Sequence, residues 1–173
     1  MRLFLLNNFD GRMTVSGFGY PVVVRSINRL MDVEMLAGCN MVVRRSIMER
    51  ERFDEWFTGY SYREDADLTY RISRLTRVVM IPQAKLYHHQ SPASRISSVD
   101  KKRMQMRNYA YMFRKYKDHG WRSRLLFAYS VLGLLVIDLL EFLSHRDRER
   151  LEVLSTSLRA VFSLGPRRIK DKG

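Results

Sequence analysis

YSYREDADLTYR, residues 60–71, places three carboxylates, Glu64, Asp65 and Asp67, within four positions of a chain whose formal net charge is +13. Acids packed this tightly repel one another and raise each other's pKa unless a cation, a metal or a helix N-terminus offsets them. From Glu64 onward, Leu68, Ile72 and Leu75 recur at helical spacing, with Arg71 and Arg74 on the other face. Acids in the first turn and bases in the last complement the helix dipole, so the spacing predicts a helix that starts at Glu64. A lone acidic pair in this position is usually a dipole effect. The segments on either side therefore decide whether it is more.

Upstream lies GCNMVVRR, residues 38–45. Gly38 separates two strand-like runs, Val33–Ala37 and Met41–Arg44, and the plain reading of Gly38-Cys39-Asn40 is a hairpin turn. Ser46 is placed to cap a short helix through Arg50. FDEWF, residues 53–57, supplies aromatics that would pack under a loop, and Trp56 and Tyr60 stand just ahead of the acids. Downstream is IPQAKLYHHQS, residues 81–91. Val78–Ile81 is strand-like, Pro82 ends it or sets it at an edge, and Ala84–His88 suits another short strand. Adjacent histidines on a strand point to opposite faces, so only one of His88 and His89 can face a site. Nearer the start, Leu3–Leu6 reads as a buried strand and Val22–Val24 as a short one.

The 173 residues fit one domain, or part of one with an appendage. Hydrophobic content of 46% suffices for a core, and charged content of 28% argues against wholesale disorder. Cys39 is the only cysteine, so no intramolecular disulfide can form. The net charge favours anionic partners, namely phospholipid head groups, nucleotide phosphates or nucleic acid. It concentrates late in the chain, with ten Lys or Arg against two acids between Arg95 and Arg124. The pattern predicts a basic helix from Val99 to Asp118, a break at Gly120, an apolar helix from Ser123 to Ser144 and a more polar one from Arg146 to Phe162. Leu125–Ile137 is apolar throughout apart from Tyr129, Ser130 and Gly133. That is shorter than the ~20 residues a span needs. With Arg122, Arg124, Arg146 and Arg148 flanking it, it reads as a buried or membrane-embedded helix.

Taken in order, the glycine block, the acidic helix start and the histidine pair resemble the back half of a family 2 glycosyltransferase catalytic domain, over roughly residues 8–116. The resemblance implies an α/β fold, a partial GT-A sheet followed by C-terminal helices. With the apolar run and its flanking arginines, it divides the chain into a catalytic part, residues 1–97, and a membrane-associating tail, residues 98–173. It implies Asp65 as the general base that takes the acceptor hydroxyl's proton, with Glu64 orienting it or hydrogen-bonding the acceptor. Donor and acceptor binding falls to Gly38, Asn40, Trp56, Tyr60 and Asp67, the last also setting the helix start. His88, with His89 as the other choice, would hold a divalent metal, Mg or Mn, against the diphosphate.

The implied partners are a nucleotide-sugar donor, a glycan or lipid-linked acceptor and an anionic membrane surface, with no nucleic acid. The implied location is the cytoplasmic face of the membrane. The family's front half, a Rossmann-like strand and turn with an acidic D-x-D, has no counterpart here. The only literal D-x-D is Asp65-Ala66-Asp67. The expectation is therefore the C-terminal part of a catalytic domain, inactive alone. Two other classes stay open on the residues: a non-catalytic basic membrane-associated protein, or subunit that needs a separate nucleotide-binding half, and a nucleic-acid binder resting on charge and aromatics.

Overall fold

The computed structural model describes residues 1–22, 28–87, 89, 96–117 and 120–163. The chain forms two compact units. The first, here the carboxylate unit, comprises residues 7–14 and 19–95. The second, the helical unit, comprises residues 1–6, 15–18 and everything from Ile96 onward. The fold is mixed α/β and mostly helical.

The carboxylate unit holds β1 (Met31–Asp32), a 3-10 turn at Gly38–Asn40, α1 (Arg45–Met48), α2 (Glu64–Leu75) and β2 (Val79–Met80). β1 and β2 pair antiparallel, Met31 opposite Met80 and Asp32 opposite Val79. One further bond, from the N–H of Val33 to the carbonyl of Val78, extends the ladder at 3.0 Å. It stops there because the N–H groups of Glu34 and Met35 both turn to the carbonyl of Gly11, at 2.9 Å each. The expected strand over Val33–Ala37 is thus replaced by pairing that begins two residues earlier. Met41–Arg44 is not a paired strand, and neither is Ala84–Tyr87, where the Ala84 N–H closes a turn onto Ile81. Among the described residues the sheet has two strands. Val23, Val24 and His88 lie outside the described residues.

α2 forms where the periodicity places it. Leu68 and Ile72 are buried with Ala66, while Leu75 at its end is exposed. Arg63 precedes it in the left-handed region at φ 78°, and no side chain caps the start.

The helical unit consists of α3 (Ser98–Tyr116), α4 (Trp121–His145) and α5 (Arg148–Ser163). All three lie within two residues of their expected bounds. Ser97 caps α3 by accepting the Asp100 N–H at 3.0 Å, and Gly120 caps α4. Aromatic rings fill the core: Phe18 lies 4.2 Å from Tyr109 between ring centroids, and Phe113 lies 4.4 Å from Phe127. The expected N-terminal strand is instead a turn. The N–H groups of Leu5 and Leu6 bond back to Arg2 and Met1, Leu3 is 73% exposed, and only Leu6 is fully buried. α4, at 25 residues, is long and apolar enough to cross a membrane, with 28% of its most apolar window buried.

Candidate carboxylate site

Asp65 lies in the first turn of α2, where the helix's free N–H groups favour a negative charge. Its Oδ1 accepts the Ala66 N–H at 2.7 Å, and its Oδ2 accepts the Gly38 N–H at 2.8 Å. The glycine block and the acidic block, 27 residues apart in sequence, therefore meet at one carboxylate. Glycine permits this approach, since a Cβ on residue 38 would stand 3.3 Å from the Asp65 Cβ. A second tie fixes the same turn. The Thr69 hydroxyl donates to the Asp65 carbonyl at 2.7 Å and accepts the Leu36 N–H at 3.1 Å. Gly38 itself is exposed and Asp65 partly so, which leaves the carboxylate accessible to a hydroxyl group.

The other expected residues fall in different settings. Glu64 is part-exposed beside Asp65 at the helix start. Asp67 is fully buried, and its Oδ2 accepts from the Arg71 Nε at 3.1 Å. Arg71 also pairs with Glu51 and donates to the carbonyl of Arg52. Asn40 uses its side-chain amide to hold the Ala84 carbonyl at 2.9 Å, tying the glycine turn to the stretch after β2. Trp56 and Tyr60 are exposed, whereas Phe57 is the ring of FDEWF that packs inward. His89 is exposed, and His88 lies outside the described residues. Among the described residues no three His, Cys, Asp or Glu side chains converge as a metal would require.

Three residues at the site escaped the sequence reading. Tyr62 has its pKa pushed well above the usual phenol value, first by burial, then by neighbouring Tyr20 and by a hydrogen bond to it; the Asp65 charge adds to the rise and Arg63 opposes it. The buried Arg63 donates to the Gly19 carbonyl at 2.5 Å and lies over the Tyr20 ring at 5.4 Å. Tyr20, Tyr62 and Arg63 thus form one cluster, in which Tyr62 is the member that feels the Asp65 charge. The available signal was YSYR itself, a polar-aromatic alternation directly ahead of the acids. The loop that carries it is strained: Ser61 at φ 51° and Arg63 at φ 78° both sit in the left-handed region. Such conformations cost about 1–3 kcal/mol each and persist where surrounding structure enforces them.

No family model, curated protein or solved structure matches the chain.

Proposed function

We propose that the carboxylate unit supplies the general base of an inverting glycosyl transfer from a nucleotide-sugar to a cell-surface polysaccharide or glycolipid acceptor. What carries the reading is the Gly38 N–H on Asp65 Oδ2 at 2.8 Å, which joins the two motifs that the resemblance pairs. In the proposed reaction the acceptor hydroxyl lies against Asp65, gives up its proton to the carboxylate, and its oxygen attacks the anomeric carbon as the bond to the diphosphate breaks. The bonds from Gly38 and Ala66 hold Asp65 in one orientation, so little reorganisation is needed when the proton moves. Glu64 is placed to orient the acceptor, and the exposed Trp56 and Tyr60 offer faces on which a sugar ring stacks. Asp67 and Arg71 hold the helix that presents the base.

The nucleotide-binding half is supplied with this chain, in the same or a second polypeptide, and a divalent metal is expected there to neutralise the diphosphate. The helical unit attaches the assembly to the cytoplasmic face of the membrane, a reading supported by the length and apolar surface of α4.

The test is a transfer assay on the chain fused to, or co-expressed with, a nucleotide-binding half, using a panel of UDP-, GDP- and TDP-sugars. Asp65→Asn keeps the side chain's shape and one of its two accepted N–H bonds but cannot take a proton, and it should cost about 10²- to 10⁴-fold in turnover with donor binding unchanged. Glu64→Gln should cost less. Near-normal turnover in Asp65→Asn, or no transfer from any donor in the parent, would refute the proposal.

A further inference from the structure

One face of α4 is apolar and uncovered. Leu125, Leu132, Leu139 and Leu143 follow at steps of seven, seven and four, which is a single line along a helix, and they are 43–60% exposed. α5 repeats the device, with Leu151, Leu158 and Phe162 exposed at steps of seven and four. The opposite side of α4 faces inward. There Asp138, 4% exposed, accepts from Lys102 of α3 and from the Ser157 hydroxyl of α5, both at 2.6 Å. At the two ends of α4 stand Arg122, Arg124, Arg146 and Arg148, all exposed.

We propose that α4 lies in the plane of a single anionic phospholipid leaflet, with its leucine line in the acyl boundary and its terminal arginines on the head groups, and that it does not cross the bilayer. This rests on the membrane attachment proposed above and specifies its geometry. Length alone would permit a crossing. Asp138 decides against it. A crossing α4 would either leave that carboxylate in hydrocarbon without Lys102, or drag the charged α3 and α5 inward with it, and both are costly. Lying flat keeps the three-helix ion cluster intact and buries only the face that is already apolar. The arginines also favour lipid over a second copy of the chain. An antiparallel self-pairing along the stripe would set Arg122 and Arg124 against Arg146 and Arg148, like charges facing one another.

The experiment uses the full chain with Cys39→Ser, carrying Gly120→Cys or Ser144→Cys, in membranes from expressing cells and on vesicles of phosphatidylcholine with or without phosphatidylserine. Both cysteines should react with an impermeant maleimide from the same side, and flotation should require phosphatidylserine. Leu132→Glu with Leu139→Glu should weaken vesicle binding by roughly one hundred-fold, since two half-exposed leucines leave lipid, with the circular dichroism unchanged. Arg122→Glu with Arg146→Glu, which spares the stripe, should abolish the preference for phosphatidylserine. Protection of one cysteine until detergent is added overturns the in-plane seat while leaving attachment intact. A protein that stays soluble with every vesicle overturns attachment as well. A dimer that the double leucine variant converts to monomer assigns the stripe to a second copy and overturns the proposal.

Discussion

Asp65 and Asp67 sit two positions apart on α2 and face different surroundings. The first is reachable from solvent and held by backbone N–H groups, whereas the second is fully buried against Arg71. Their replacements should therefore separate stability from chemistry. Asp67→Asn leaves Arg71 with Glu51 as its charge partner but removes a buried charge-assisted hydrogen bond, and should lower unfolding free energy by about 1.5–3 kcal/mol. Asp65→Asn should cost less, about 1 kcal/mol, because the amide oxygen keeps one of the two N–H bonds and the side chain is part-exposed. Urea denaturation of the two variants checks this. Tyr62 gives a pH dependence. The fold favours its neutral form, so the contribution is fully present below the unfolded phenol value of 10.0 and is lost as pH rises through the higher folded value. Stability should begin to fall as pH passes 10.0 and go on falling above it, and Tyr62→Phe should flatten that fall in denaturation curves.

The four longer helices were legible because their signals are local, whereas α1 starts at Arg45 with no side-chain cap and Ser46 lies inside it. Acids at one end of α2, Ser97 ahead of α3 and Gly120 ahead of α4 are all punctuation that the backbone obeys. The strands were less legible. A two-residue ladder depends on which carbonyl is nearby, and the Gly11 carbonyl draws Glu34 and Met35 away from β2. Within α4, glycine at 133 is disfavoured by propensity but required by packing. A Cβ there would come within 2.2 Å of the Phe4 Cβ, an atom that cannot swing aside. Gly133→Ala gains about 1 kcal/mol of intrinsic helix propensity, yet overpacking of this kind typically costs about 1–3 kcal/mol. A net loss of thermal stability is expected, read by calorimetry. A higher melting temperature would show that Phe4 does not lie there.

At the scale of the whole molecule, the first six residues belong with the last helices rather than with the segment that follows them. Ser130 donates to the Phe4 carbonyl at 2.8 Å, Tyr129 donates to the Leu3 carbonyl at 3.0 Å, and Leu6 is completely buried. Removing residues 1–6 should lower the melting temperature of the helical unit, because losing one fully buried leucine alone costs about 2–5 kcal/mol. A circular dichroism melt of the shortened chain is the measure, and an unchanged curve would place these residues outside the fold. Four features could be read from local pattern alone: the excess of basic charge, the carboxylates at the start of α2, the long apolar helix and the breaks between the last three helices. These follow from side-chain spacing and helix-end chemistry, which act over a few residues. Packing settled that Gly38 meets Asp65, that Asp67 turns inward to Arg71, that Arg63 reaches the Gly19 carbonyl, and that Asp138 is tied to Lys102 and Ser157. Those contacts join segments separated by up to 44 positions, as between Gly19 and Arg63. They depend on which buried polar groups find partners, a competition that no local pattern records.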